Sequence, residues 1–518
     1  MSTKTFYMKN TLLITIAFLA TVFSGTAQKM ESSLPRSTPE KEGVSAAGLL
    51  AFLDAVGKSK TEFHSMMVLR HGKVIAEGWW SPYAPSLKHM LYSTSKSFTA
   101  AAIGFALTEK RLSLDDKVIS FFPNDKPDTV NPWLAELTVR DALMMSDGMD
   151  PDPSGPVSMS ANWEKAFLGT PIVHEPGSVF LYNSVGTYML SAIVTKVTGQ
   201  KVLDYLQPRL FDPLGIHGID WETSPQGANT GGWGLRLKTE DMAKFGQLYL
   251  QKGNWKGHQI LPAAWVEDAT TKHILQDPSA SQGKRDSSDW LQGYCYQMWR
   301  CRHNGVRADG AFGQYIIMLP ELDAVVALTA ESPDMQEEIN LVWDYLLPAI
   351  HTGVLPADAK SDQRLKDRLS ALALPIPAAM AGGGTPVDIN GQTYTFEAND
   401  TKIKQLSFSL ANGVCRLGMK GDTADYEIPF GEGHWEAGVT TRPGPALTER
   451  AQHAFVGLPG FKTEGAYDWK DANTLELTLR YIESPHKVVL VCHFDGTGVK
   501  VDYKSGGANV VELRGTKN

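Results

Sequence analysis

The sequence predicts an α+β domain with an antiparallel sheet, followed by a separate, smaller all-β domain. Segments 66–76 and 314–329 each predict two strands around a tight turn, and they lie far apart in the chain. Between them the chain is mainly helical, with apolar residues at three- and four-residue steps over 93–110, 185–207 and 239–251. Strands at both ends with helices inserted between them favour one sheet that joins early and late parts of the chain.

The C-terminal part has a different character. Proline and glycine are concentrated in Leu374-Pro-Ile-Pro and in 381–386, which is typical of a linker. After it, short runs of β-forming residues alternate with Asn, Gly and Asp turns. We therefore predict a first domain over 28–355, a linker over 356–386 and an all-β domain over 387–518.

Composition excludes some classes of partner. The chain has 518 residues, of which 42% are hydrophobic and 20% charged, with a net charge of −8. This composition is ordinary for a folded protein, and no cluster of Lys and Arg supports a nucleic-acid partner. No Cys/His spacing resembles a zinc site, and we expect neither a metal nor an organic cofactor.

The N-terminus predicts export. Lys4 and Lys9 precede an apolar run over 12–23, and small residues follow up to Ala27. This order is that of a signal peptide over 1–27, cleaved after Ala27. A permanent anchor is the alternative, but spanning a bilayer takes about 20 apolar residues. We expect a periplasmic or secreted protein that keeps no membrane span after cleavage.

The four cysteines leave two interpretations open. They are Cys295, Cys301, Cys415 and Cys492. Cys415 and Cys492 both lie in strand-like runs, where a disulfide is possible in an oxidising compartment. Free buried thiols are the other interpretation.

The segment Ser93-Thr94-Ser95-Lys96 places a serine and a lysine three residues apart. Residues at this spacing share a helix face, so the amine of Lys96 can lie beside the Ser93 hydroxyl and help to remove its proton. A lysine acts as a base only where burial or a neighbouring cation lowers its pKa. Residues 99–107 are apolar nearly all round and predict a buried helix that supplies this desolvation.

The Ser-x-x-Lys pattern is weak alone, because it recurs at Ser281 and Ser484. Only Ser93 opens a buried helix, and an ordinary helix cap is its alternative role. Two further elements favour catalysis. One is a Tyr-x-Ser that begins at Tyr182, just before a predicted helix, and the other is a glycine-bearing strand over 307–314, where backbone can approach a ligand closely.

With these motifs the chain resembles the serine β-lactamase and penicillin-binding superfamily, in its class C β-lactamase-like branch. That branch also contains esterases, D-amino-acid peptidases and nylon-oligomer hydrolases. The resemblance runs over roughly 35–352 and implies a β-lactamase-like antiparallel sheet flanked by helices, with an inserted helical subdomain. It rests on six ordered elements: 93–96, 112–116, 138–149, 176–177, 182–184 with 197–199, and 238–241.

The resemblance implies a role for each catalytic position. Ser93 would be the acylated nucleophile and Lys96 its first partner. Tyr182 would share the general-base work. The backbone N–H groups of Ser93 and Ala311 would form the oxyanion hole.

The resemblance also implies substrate-binding positions. These are Ser184, where the family usually has Asn, together with Asp309 and Gly310. We interpret Asp309 as a turn residue rather than a catalytic carboxylate.

One position departs from the family pattern. Where the family has Lys or His two residues before the strand glycine, this chain has Ala308. The missing cation normally holds a substrate carboxylate, so β-lactams and D-Ala peptides become poor candidates unless Arg307 or Arg236 replaces it.

We therefore expect an exported serine hydrolase that cleaves a carboxylic ester or amide of a small or cell-envelope-derived molecule through an acyl-enzyme. One alternative is a β-lactamase or D-amino-acid peptidase acting on cell-wall-type substrates. Another is a slow-acylating, penicillin-recognising sensor or binding protein, whose working part is the all-β domain.

Overall fold

The computed structural model describes residues 33–379, 385–445, 457–506 and 509–518. The predicted signal peptide, 1–27, lies outside the described residues. Within the described ranges, every helix is too short or too polar to cross a membrane.

The first part of the chain contains fourteen α-helices among the described residues. They are α1 (Ala46–Val56), α2 (Ser95–Thr108), α3 (Pro132–Glu136), α4 (Val139–Leu143), α5 (Ser154–Ser158), α6 (Trp163–Leu168), α7 (Ser184–Thr198), α8 (Val202–Leu206), α9 (Asp212–Leu214), α10 (Thr239–Leu250), α11 (Ala263–Thr270), α12 (Gln282–Ser287), α13 (Met335–Leu341) and α14 (Ala359–Ser370). The strands of this part are β1 (Glu62–Arg70), β2 (Lys73–Trp79), β3 (His89–Met90), β4 (Asp220–Trp221), β5 (Leu235–Leu237), β6 (Asn254–Trp255), β7 (His258–Gln259), β8 (Trp299–Arg300), β9 (Val306–Gly310), β10 (Gln314–Leu319) and β11 (Ala324–Glu331).

The central sheet joins the two ends of the first domain, as predicted. Its six strands are antiparallel, in the order β2-β1-β11-β10-β9-β8. Both predicted hairpins are present, as β1–β2 and β10–β11. The long-range pairing is β1 with β11, which sets Met66 opposite Leu328.

Both faces of this sheet are buried, because side chains alternate across a strand. In β1, Met67 and Leu69 belong to the hydrophobic cluster that contains α2, α7 and α10. Met66 and Val68 belong to a second cluster with α1 and α13. The sheet is therefore sandwiched between helical layers, and the helices inserted between β3 and β8 make the predicted helical subdomain.

The C-terminal part is all-β, as predicted. Ten strands form one sheet in the order β15-β14-β13-β12-β21-β20-β19-β18-β17-β16, and an additional contact between β15 and β17 closes it on itself. It has its own hydrophobic core, separate from those of the first domain. The strands are β12 (Thr393–Phe396), β13 (Gln405–Ala411), β14 (Val414–Lys420), β15 (Asp425–Glu432), β16 (Glu436–Thr440), β17 (Phe461–Asp471), β18 (Thr474–Tyr481), β19 (Lys487–Phe494), β20 (Gly498–Ser505) and β21 (Val511–Lys517).

The segment predicted as a linker, 356–386, carries structure of its own. Helix α14 lies within it, and Leu365, Leu372 and Leu374 are buried in the cluster that covers one face of the central sheet. Apart from Pro356, its proline and glycine residues all come after Leu374, at the end of this segment. The predicted domain boundaries remain predictions.

All four cysteines lie within the described ranges, and all are buried free thiols. Cys415 and Cys492 both lie in the core of the all-β domain. The structure thus favours the free-thiol interpretation over a disulfide.

Candidate active site

The proposed nucleophile lies at the entry to a buried helix. Ser93 is the middle residue of a short 3-10 helix, Tyr92–Thr94, that runs directly into α2. The α-helix thus begins two residues later than predicted, because the first turn is wound more tightly. Ser93 is partly exposed, whereas Lys96 is buried, so the hydroxyl can meet a substrate while the amine is shielded from water.

Lys96 is held by three oxygen atoms. Its Nζ lies 3.0 Å from Ser93 Oγ, 3.0 Å from Ser184 Oγ and 2.7 Å from the carbonyl oxygen of Gly232. A neutral amine has two N–H donors and one lone pair. The Gly232 carbonyl can only accept, so when Ser184 takes the second donor the lone pair is directed at the Ser93 hydroxyl.

The surroundings of Lys96 make this neutral form accessible. Burial lowers the pKa of Lys96 to about 7, and the charges of Asp152 and Asp309 raise it only part of the way back. An amine with this pKa is neutral in about half of the molecules at neutral pH, as a general base requires.

Tyr182 lies beside the same amine. Lys96 Nζ is 4.9 Å from the centre of the Tyr182 ring, and the ring stacks on Trp299 at 5.7 Å. Burial raises the pKa of Tyr182 above its usual value, and a hydrogen bond with Ser93 lowers it by a smaller amount. The phenol is therefore protonated at neutral pH and placed to pass a proton to or from Ser93.

The position of Tyr182 is set by its next neighbour, Asn183. The Asn183 side chain caps α7 by accepting from the N–H groups of Val185 and Gly186, both at 3.0 Å, and donates to Asp147 Oδ2 at 2.7 Å. Burial raises the pKa of Asp147 to about 7. This buried contact orients the start of α7, from which Ser184 reaches Lys96.

Gly310 lies where β9 meets the serine segment. A Cβ at this position would be 2.2 Å from the Leu91 carbonyl oxygen and 2.9 Å from Thr94 Oγ1, so only glycine fits. Thr94 in turn donates its hydroxyl to the first carbonyl of β10 at 2.7 Å. These contacts bring Ala311 beside the segment that carries Ser93, while its role as an oxyanion donor remains a prediction.

Asp309 is a strand residue, so its interpretation as a turn residue was wrong. Its carboxylate accepts from Arg307 Nε at 2.8 Å, and both side chains are almost completely buried. The Arg307 guanidinium also lies 4.5 Å from the ring of Trp290 and 5.4 Å from that of Trp299. Its partners are thus an acid, two rings and nearby carbonyls, and it is fully sequestered from solvent.

The missing family cation has no replacement at the two arginines considered from the sequence. Arg236 is fully buried and binds both oxygens of Asp220 at 2.5 and 2.9 Å. Ala308 itself is fully buried in the cluster that contains α2. Position 308 therefore offers no charged group to a substrate.

Sequence reasoning missed Gly232. A Cβ there would lie 2.5 Å from the Ser184 carbonyl oxygen and 3.5 Å from Lys96 Nζ, so the chain can accept the Lys96 hydrogen bond only with glycine at this position. The available signal was the run Gly231-Gly232-Trp233-Gly234, whose outer glycines have φ of +68° and +85°.

The other two Ser-x-x-Lys matches have structural roles. Ser281 caps the exposed helix α12, accepting from Lys284 N at 3.4 Å. Ser484 lies in the loop between β18 and β19, where its Oγ accepts from His486 N at 3.4 Å, and Lys487 of the same match pairs with Glu62. Among the described residues, no group of three or more His, Cys, Asp or Glu side chains is placed to hold a metal ion.

Comparison with known families agrees with this geometry. The family model described as Beta-lactamase matches residues 57–347, which is more than half of the 518 residues. The chain belongs to the β-lactamase family. It is thus a hydrolase of the β-lactamase fold, and the resemblance inferred from the motifs around Ser93 and Tyr182 is confirmed.

Individual relatives are distant. The 6-aminohexanoate-dimer hydrolase of Paenarthrobacter ureafaciens is 25% identical over 289 residues, covering 52% of this chain and 73% of that protein. Protein flp of Staphylococcus aureus (strain COL) is 25% identical over 164 residues, covering 29% of this chain and only 33% of its own length. The octameric penicillin-binding protein homologue from Pyrococcus abyssi aligns over 90% of this chain and 99% of its own, with 17% identity and a TM-score of 0.47.

Proposed function

We propose that this β-lactamase-family protein is an exported serine hydrolase that cleaves a carboxylic ester or amide through an acyl-enzyme on Ser93. The observation that carries the proposal is the buried Lys96 amine, 3.0 Å from Ser93 Oγ and with a pKa near 7. A buried lysine this close to a partly exposed serine is set up to remove its proton.

The proposed reaction has two halves. In the first, Ser93 Oγ attacks the carbonyl carbon, its proton passes to Lys96, and the N–H groups of Ser93 and Ala311 stabilise the oxyanion. The leaving group departs with a proton delivered through Tyr182. In the second half, water attacks the acyl-ester, gives its proton to the same pair, and Ser93 is released with its hydroxyl restored.

Two further observations support the finer points of the proposal. The signal-peptide pattern over 1–27 supports export. The name of the Paenarthrobacter relative describes hydrolysis of a 6-aminohexanoate dimer, which supports a small-molecule substrate.

A fluorophosphonate probe tests the nucleophile. We expect the full chain to be labelled at Ser93, and we expect Ser93→Ala to lose both labelling and turnover of p-nitrophenyl esters. Ser281→Ala is the matched control, because Ser281 has the same Ser-x-x-Lys pattern on an exposed helix, and it should keep both. Full activity of Ser93→Ala would end the proposal, and a single stoichiometric burst without further turnover would support the sensor alternative.

Substrate preference is a second expected result. A β-lactam brings a carboxylate into the site, and an unpaired charge that leaves water costs several kcal/mol. Ala308 supplies no cation, and Arg307 is already bound to Asp309. The negative charges of Asp152 and Asp309 also act on Lys96, so they would disfavour a second negative charge beside it. We expect kcat/KM for nitrocefin to be at least about 100-fold below that for a short-chain p-nitrophenyl ester, or about 2.7 kcal/mol of transition-state binding.

Efficient hydrolysis of nitrocefin by the unmodified protein would contradict this expectation. Arg307→Ala then shows whether Arg307 holds the carboxylate, because its nitrocefin activity would fall while its ester activity stayed.

A further inference from the structure

The loop between β18 and β19, residues 482–486, reaches out of the all-β domain and binds beside the proposed nucleophile. Its Glu483 carbonyl accepts from Met90 N at 3.0 Å, and its Ser484 carbonyl accepts from the Tyr83 hydroxyl at 3.0 Å. Ile482 is buried in a hydrophobic cluster of the first domain. We refer to residues 482–486 as the docking loop.

The last residue of the docking loop, His486, bonds through both ring nitrogens. Its Nδ1 lies 2.8 Å from Glu331 Oε1, and its Nε2 lies 2.6 Å from the Tyr92 hydroxyl. A carboxylate only accepts, so Nδ1 carries the proton and, in the neutral ring, Nε2 accepts from Tyr92. Burial raises the pKa of Tyr92 well above its usual value, which keeps the hydroxyl available as the donor.

His486 also contacts the opposite side of the site. Its ring meets that of Phe312 edge-on, with centroids 4.8 Å apart, and the rings of Tyr92 and Phe312 are 5.8 Å apart. Tyr92 directly precedes Ser93, and Phe312 directly follows Ala311. The two aromatic residues that the His486 ring contacts are therefore each the chain neighbour of one proposed oxyanion donor.

Both of these aromatic residues have unusual backbones. Tyr92 has φ of +47° and Phe312 has φ of +64°, in the left-handed region that residues with large side chains avoid. Such conformations persist where surrounding contacts hold them. Here both residues contact His486, whose side chain is only 2% exposed.

We infer that His486 is a positioning residue for the oxyanion hole, holding Tyr92 and Phe312 so that the N–H groups of Ser93 and Ala311 point at one carbonyl oxygen. The inference rests on the proposed acyl-enzyme function. It gives the all-β domain a part in the chemistry of the first domain, through Tyr92 and Phe312 and without contact with the substrate.

The test compares full-length variants by steady-state kinetics on a p-nitrophenyl ester. Removal of one oxyanion donor costs roughly 10²–10³ in kcat, and misplacement of donors costs less than removal. We expect Tyr92→Phe and His486→Ala each to lower kcat about 10- to 100-fold, with KM changed less than about threefold. The double variant should be no slower than the slower single variant, because the two side chains act through one hydrogen bond.

Two further variants separate positioning from docking. Tyr83→Phe removes another hydrogen bond to the same docking loop but leaves the contacts of Tyr92 and Phe312 with His486 in place. We therefore expect its kcat to stay within about twofold of that of the unmodified protein. His486→Gln, whose amide can still reach Tyr92, should recover part of the loss. Rates of fluorophosphonate labelling at Ser93 should follow kcat in every variant.

Equal kcat values for Tyr92→Phe and Tyr83→Phe would overturn the inference, as would losses confined to thermal stability or to KM. Those results leave the proposed function intact as long as the unmodified protein turns over esters. A protein that neither labels at Ser93 nor turns over would instead remove the proposed function itself.

Discussion

Lys96→Ala is expected to lower kcat for a p-nitrophenyl ester by roughly 10²–10⁴, the range for loss of an acid–base group. The reason is geometric: Lys96 Nζ lies 3.0 Å from Ser93 Oγ, and its third partner, the Gly232 carbonyl, has no proton to give or take in catalysis. Lys96→Met, which keeps most of the buried volume, should show a similar loss. Steady-state kinetics on both variants, with thermal unfolding to confirm folding, measures the effect.

Tyr182→Phe belongs to the same experiment, because Lys96 and Tyr182 both hydrogen-bond to the Ser93 hydroxyl. The combined loss in Lys96→Ala/Tyr182→Phe should be smaller than the product of the single losses, as for groups that act as a unit. Lys284→Ala, the lysine of the exposed Ser281 motif, is the matched control and should leave kcat unchanged. An unchanged kcat in Tyr182→Phe would show that Tyr182 only packs in the site and transfers no proton.

A chain truncated after residue 379 should either lose most of its soluble yield or remain soluble with a specific activity on esters at least about 100-fold lower. The truncation removes Arg480 and Lys487, which pair with Glu62 of β1, and it removes the docking loop. The Glu62 side chain is 17% exposed and that of Arg480 only 2%. Breaking a buried ion pair costs about 3–5 kcal/mol, a large share of a typical stability of about 5–15 kcal/mol.

A matched pair of point variants separates the domain contact from the all-β domain itself. Arg480→Ala should lower the melting temperature of the full chain, because it leaves Glu62 partly unpaired. Arg416→Ala should not, because Arg416 pairs with Glu427 where both side chains are more than half exposed. A truncated chain that is soluble and fully active would show that the first domain needs nothing from the second.

The sequence predicted the elements that depend on local chemistry. Hydrophobic periodicity located both hairpins of the central sheet and the helices around it, because side-chain direction follows the period of the backbone. The spacing within 93–96 was enough to expect Lys96 beside Ser93, since one helical turn joins them. Even there, the 3-10 winding of Tyr92–Thr94 was not predicted.

The tertiary structure decided what depends on distant partners. No local pattern shows that the Gly232 carbonyl, 136 positions from Lys96, is one of its hydrogen-bond acceptors. Likewise, the sequence offered Arg307 as a candidate cation for a substrate carboxylate. Only the packing shows that Asp309 and two tryptophans surround its guanidinium.

The contact between the domains is the clearest case. A segment rich in proline and glycine indicated two separate domains. Yet His486 Nε2 lies 2.6 Å from the hydroxyl of Tyr92, which is 394 positions earlier in the chain. A linker's composition reports only local backbone freedom. Whether two domains share buried side chains depends on surfaces that form after each has folded. Periodicity and motifs were therefore enough to predict the family and to propose Ser93 as the nucleophile, whereas long-range packing decided which residues surround it.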